Sequence, residues 1–166
     1  MLSPKLILSP IDFSDFSLNA LDVAKDVAMK YGSEILLIHV VPMVSRLPDP
    51  VIIVGEGAYE RAMIEITKQR LGDLADKLRQ AGVRARSVVG LANDAAMEIV
   101  RTADSEKVDL IVMSTHGMTG WKRLAFGSVT DKVVRTADCA VLVLRSGAAA
   151  GSPERQAKQA TATVPA

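Results

Sequence analysis

The stretch DLIVMSTHGMTGWKRLAFGSVTDKVVRTADCAVLVLR, Asp109 to Arg145, begins and ends in short apolar runs, DLIVMS and CAVLVLR. Runs this short, bounded by turn residues, read as buried strands rather than helices. Between them a glycine-rich loop leads into a short helical pattern, Ser128–Thr136. A strand, a helical crossover and a second strand form a unit whose two strands lie parallel. The loop carries three glycines, Gly117, Gly120 and Gly127, and the basic pair Lys122-Arg123. A plain connection needs fewer. Glycines let a backbone approach a ligand closely, and the N–H groups that open a helix attract an anion.

The same alternation runs through the rest of the chain. KLILSPID (Lys5–Asp12) is an apolar run closed by Pro10. A helix follows, with Leu18, Leu21, Ala24, Val27, Ala28 and Tyr31 at inward spacing, Ser14 as N-cap and Gly32 past its end. SEILLIHVV is near-continuously apolar, as a strand covered on both faces should be. Residues 42–58 hold three prolines and two glycines, and this length suggests a functional flap or a mobile segment. A second helix is expected from Tyr59 to Gln80, with Tyr59, Met63, Ile66, Leu71, Leu74 and Leu78 on one face. GVRARSVVG places Val83, Ala85, Ser87 and Val89 opposite Arg84 and Arg86, a strand with one wet face. A third helix takes Asn93 as its cap and turns Ala96, Ile99, Val100 and Ala103 inward. Five strands alternating with four helices imply an open five-stranded parallel sheet with helices on both faces, a Rossmann-like α/β fold. Residues 1–146 make this one domain. Residues 147–166, rich in Ala, Gly, Ser and Pro, read as a disordered tail.

Composition narrows the function. Half of the 166 residues are apolar (49%), charged residues make up 23%, and net charge is +1, without the basic excess of a nucleic-acid binder. A single cysteine, Cys139, excludes an intrachain disulfide framework and fits a reducing compartment. The opening MLSPKLILSPIDFSD does not read as a signal peptide, and no window is apolar for long enough to span a membrane. These features point to the cytoplasm, with no nucleic acid and no membrane as partner.

In an open parallel sheet, ligands bind beyond the carboxyl ends of the strands. Those ends are Pro10-Ile11-Asp12, His39-Val40-Val41, Val89-Gly90 and Met113–Gly117. Asp12 is the carboxylate placed directly at the end of an apolar strand. It either accepts a hydrogen bond from a ribose hydroxyl or adenine amino group, or orders the turn and caps the helix. Gly127-Ser128 can hold a phosphate at the start of the fourth helix, or serve as turn glycine and N-cap. Neither the P-loop pattern nor G-x-G-x-x-G is present.

With these residues in place, the chain resembles the universal stress protein family. Its P-x-D is matched by Pro10-Ile11-Asp12, and its strand ending in HV by His39-Val40. Its G-x2-G-x9-G-[ST] signature falls on Ser114, Gly117, Gly127 and Ser128. The resemblance spans Pro4 to Arg145. It implies a homodimer paired through the last strand, Ala140, Val141, Leu142, Val143 and Leu144, and ATP or AMP as ligand, with Mg accompanying it. Carried over by position, Pro10, Ile11, Asp12 and the Val40 backbone would face the adenosine, while Met113, Gly117, Gly127, Ser128 and Val129 would line the ribose and phosphates. The departure is Ser114, where the family has glycine; serine is small enough to be tolerated.

The remaining candidates have plainer readings. His39, flanked by apolar residues, suits a satisfied core histidine, while His116, inside the glycine loop, is a candidate phosphate contact. Lys122 and Arg123 suit a solvated loop face, and Cys139, with no adjacent base, suits an inert thiol. The resulting expectation is an adenine-nucleotide-binding regulator with little or no turnover. Its alternative is a dimeric interaction module that needs no nucleotide; a small α/β hydrolase or transferase would require catalytic groups that the sequence does not supply.

Overall fold

The computed structural model describes residues 3–43, 56–115 and 127–145. Their elements follow in the order β1 (Leu6–Pro10), α1 (Asp15–Tyr31), β2 (Glu34–Val41), α2 (Glu56–Gln80), β3 (Arg84–Leu91), α3 (Ala95–Glu106), β4 (Leu110–Ser114), α4 (Ser128–Thr136) and β5 (Ala140–Leu144). All strand pairs are parallel, and the sheet runs β3-β2-β1-β4-β5. This is the α/β architecture expected from the alternation.

Side chains alternate across a strand, so each apolar run feeds two cores. Ile7, Ile35, Leu37, Leu110 and Val112 face α1 and α2, meeting Leu21, Ala24, Leu71 and Leu78. Leu8, Leu36, Ile38, Ile111 and Met113 face the other layer, with Ala96, Ile99 and Ala103 of α3 and Val133 of α4. Central β1, β2 and β4 are therefore buried on both sides. The edge strand β5 is only half-buried, with Ala140 exposed, rather than fully covered as its apolar run suggested.

The caps explain where the helices begin and end. Ser14 accepts the Ser17 amide at the start of α1, and Gly32 closes it at φ 69°, as expected. Tyr31, however, is 41% exposed and carries the Lys30 ammonium over its ring instead of facing the core. The second helix begins earlier than expected, at Glu56. Its buried stripe runs through Thr67, Leu71, Ala75 and Leu78, so Ile66 lies off it and is exposed. A residue five positions from Leu71 sits about 140° around the helix, whereas one four positions away shares its face. The cap of α3 is Asp94, not Asn93: its side chain accepts the Met97 amide. Val83, just before β3, and Ala85 and Val89 on it pack toward α2 as expected, but Ser87 is exposed.

One seam in the sheet is short. β1 and β2 stay in register from Leu6↔Glu34 to Pro10↔Ile38, whereas β1 and β4 pair only at Ile7↔Leu110 and Leu8↔Ile111. Beyond Leu8 the two strands are no longer paired.

Candidate functional site

That end of the pairing coincides with the point where the chain connections turn in opposite directions, from β1 to β2 on one side and from β4 to β5 on the other. Such a switch point opens a crevice beyond the carboxyl ends of the strands. A cleft of about 290 Å³ occupies it. Pro10, Ile11 and Asp12 enter from the end of β1, Val40 from β2, Met113 and Ser114 from β4, and Gly127, Ser128 and Val129 from the start of α4. All nine were expected at a site and the fold brings them together. His116 and Gly117, also expected there, lie outside the described residues, as do Gly120, Lys122, Arg123, residues 44–55 and the tail from 146.

Six further residues line the cleft: Ser17, Ile38, His39, Ala95, Ile99 and Thr130. Thr130 follows Gly127 by three positions and Ile99 follows Ala95 by four, the spacings that share a helix face. Their helical periodicity could have flagged them; which helix faces the cleft depends on tertiary packing. His39 is satisfied, as expected, with Nδ1 2.6 Å from the Ile11 carbonyl oxygen, yet it also lines the cleft. Facing an oxygen that can only accept, Nδ1 carries the proton.

The β1–α1 turn is closely specified. The Ile11 amide donates to the Ile38 carbonyl at 2.8 Å, extending the β1–β2 ladder by one residue. Asp12 Oδ1 accepts from both the Ser14 amide (3.0 Å) and the Ser14 hydroxyl (2.5 Å), while Ser14 Oγ accepts from the Ser17 amide at 3.2 Å. Asp12 thus orders the turn by bracing the residue that caps α1, and its half-buried carboxylate still lines the cleft. Between them Phe13 adopts φ 63°. Its ring lies 5.0 Å from that of His39, and the Arg70 guanidinium stands over it at 3.7 Å.

The opposite wall is the start of α4. The Gly127 amide donates to the Thr115 carbonyl at 2.8 Å, and Thr130 Oγ1 donates to the Ser114 carbonyl at 2.9 Å. A Cβ on Gly127 would lie 3.1 Å from the Thr115 oxygen, so this glycine serves close approach; its φ of −56° needs no special residue. Gly127, rather than Ser128, occupies the N-cap position, and no side chain caps the helix. The first N–H groups of a helix lack intrahelical acceptors, and the helix dipole adds partial positive charge there. The arrangement suits an anion.

The two helices walling this end are joined. Asp94 Oδ2 meets Lys132 Nζ at 2.5 Å, while Oδ1 caps α3. The Lys132 ammonium first, and the Met97 amide second, hold the Asp94 carboxyl below the ordinary aspartate value. Away from the cleft, burial pushes the Cys139 thiol up, which keeps it protonated and unreactive. Among the described residues no three His, Cys, Asp or Glu side chains gather as a metal site, and no helix is long and apolar enough to cross a membrane.

The chain resembles known proteins along this whole framework. A universal stress protein of Thermus aquaticus is 36% identical over 146 residues, covering 85% of this chain and 98% of its own. The solved structure of MJ0577, a universal stress protein of Methanocaldococcus jannaschii, superposes with a TM-score of 0.76 at 28% identity, covering 89% of this chain and 99% of that one. A universal stress protein from Archaeoglobus fulgidus, solved in complex with dAMP, shares the fold at a TM-score of 0.59 and 21% identity, over 86% and 98% of the two chains. The model of the universal stress protein family matches residues 4–145, from before the first strand to the end of the last, and the chain belongs to that family.

Proposed function

We propose that the cleft binds an adenine nucleotide, ATP or AMP, and that the protein acts in the stress response as a nucleotide-dependent regulator with little or no turnover. The observation that carries this reading is the pairing of polar groups in the cleft lining: a carboxylate, Asp12, and an uncapped helix start, Gly127–Val129. Asp12 accepts a hydrogen bond from a ribose hydroxyl or the adenine amino group, and the Val40 backbone reads the base edge. The amides opening α4 receive phosphate oxygens, and Ser128 adds a hydroxyl donor. Apolar Ile38, Met113 and Ile99 cover the base. Ser114, where the family carries glycine, is half-buried in the cleft wall, and in this reading it is tolerated there. Mg accompanies ATP on the phosphates. Asp12 stands at the adenosine end, away from the terminal phosphate, and this placement argues against rapid hydrolysis. The dAMP complex of the Archaeoglobus relative supports the fold's capacity for such ligands in that protein.

The protein then works in the cytoplasm as a homodimer through β5, which among the described residues has a neighbouring strand on one side only. That edge is available with or without ligand, so a dimeric interaction module independent of nucleotide is the second reading. Acid denaturation of protein purified from its host, followed by chromatography of the supernatant, separates them. Released ATP or AMP, and a rise in Tm on adding Mg·ATP worth about 2.7 kcal/mol at one hundred times Kd, are expected. Gly127→Asp, which sets a carboxylate against the phosphate end, should abolish the shift. A wild-type protein that releases no nucleotide and does not shift with Mg·ATP would leave only the second reading.

A further inference from the structure

Phe13 is the residue of the cleft region whose backbone is least expected. Its φ of 63° lies in the left-handed region, which a residue with a bulky side chain occupies only where its surroundings hold it there. On one side of it, Ile11 is pinned to β2 twice, through its amide to the Ile38 carbonyl and through its carbonyl to His39 Nδ1. On the other side, the Ser14 amide folds back onto Asp12 Oδ1 at 3.0 Å. Phe13 lies between the two partners of this bond, so its backbone conformation sets how the Asp12 side chain reaches the Ser14 amide. The left-handed turn therefore sets where the Asp12 carboxylate stands.

Two groups hold the ring that holds this turn. His39 packs against it at 5.0 Å between centroids, itself fixed by its bond to the Ile11 carbonyl. The Arg70 guanidinium covers the ring at 3.7 Å from its centroid, within cation–π range. Arg70 belongs to α2, an element that adds no residue to the described lining of the cleft. We infer that Arg70 is a positioning residue for the site: by stacking on Phe13 it locks the β1–α1 turn in the shape that presents Asp12 to the ligand. The binding readout of this inference rests on the adenine-nucleotide reading of the cleft; its second readout does not.

Titration calorimetry with AMP and with Mg·ATP, on the full chain, tests the first. Arg70→Met keeps the aliphatic stem and removes the cation, and is expected to weaken Kd about fivefold. Arg70→Lys, which keeps the charge but has no planar face to stack on the ring, should recover only part of the loss seen in Arg70→Met. Phe13→Gly, in which a left-handed φ is free of strain, should bind better than Phe13→Ala, which keeps the strain and loses the ring. The second readout is hydrogen exchange at the Ser14 amide with no nucleotide added. In Arg70→Met it should quicken about fivefold, as the bond to Asp12 opens more often. Ser14 exchange at the wild-type rate in Arg70→Met overturns the inference. So does wild-type Kd in Arg70→Lys, since charge alone would then account for Arg70. Wild-type protein that binds neither probe while Ser14 exchange still quickens would overturn the ligand reading and leave the positioning role standing.

Discussion

Ser9 is fully buried in β1, and its hydroxyl finds no hydrogen-bond partner among the described residues. A buried polar group without a partner forfeits its hydration for nothing. Replacing it by alanine removes the group and little volume, so Ser9→Ala should stabilise the protein by about 1 kcal/mol and raise Tm by about 3 °C in a thermal melt. Gly127 predicts the opposite sign. Its added Cβ meets a backbone oxygen, which cannot swing away as a side chain would, so Gly127→Ala should lower Tm and weaken any nucleotide-induced shift together. At this scale the sequence was readable where chemistry sits at an element's end: Pro10, Ile11 and Asp12 follow from counting along the first apolar run, and Gly127 from the start of the fourth helical pattern. Phe13 was not readable, because a positive φ is expected of glycine or asparagine and its cause lies in Arg70, far away in the chain. His39 was half-readable. Its apolar neighbours correctly implied a satisfied ring and gave no sign that the ring also faces a cleft.

At the scale of elements, the join between α3 and α4 carries a pH dependence. Lys132 holds the Asp94 carboxyl below its ordinary value of 3.8, so the unfolded chain binds this proton more readily than the folded one. The stabilisation is present above the unfolded value and lost as pH falls through the lower folded value. Lys132→Met and Asp94→Asn should each flatten this acid-range slope in melts recorded as a function of pH. Asp94→Asn keeps a competent cap, so near neutral pH it should lose less stability than Asp94→Ala, which loses cap and ion pair together. Asn93 and Asp94 are both good capping residues, and sequence alone offers no choice between them; the carboxylate that also meets Lys132 takes the position. The start of α2 was misplaced for a related reason. Its first turn carries no recognisable capping box, and the helix stripe is set by contact with the sheet, which moves the buried position from Ile66 to Thr67.

At the scale of the whole molecule, strict alternation of strand and helix pattern was enough to predict a parallel sheet covered on both faces. Strand order was not contained in that pattern. It depends on which crossover turns which way, and it leaves β5 at an edge, half-buried, where the apolar run alone suggested full burial. That edge should pair with its copy if the dimer forms there. Val143→Lys, which sets a charge on the pairing strand, should convert a dimer to a folded monomer in sedimentation equilibrium. A dimer unchanged by the substitution would move the interface elsewhere.

The short seam between β1 and β4 makes the sheet two blades, β3-β2-β1 and β4-β5, stitched at Ile7↔Leu110 and Leu8↔Ile111. Asp109 adds to the seam at its lower end: its amide donates to the Leu6 carbonyl and its carboxylate accepts the Lys5 and Leu6 amides. Under tension these blades should part before either frays internally, as a zip opens at its shortest row of teeth. The cleft takes its walls from both, so an occupant acts as a rivet across the gap. Pulled in an optical trap by handles on β3 and β5, the protein should yield first at this seam, and at a higher force when nucleotide is bound.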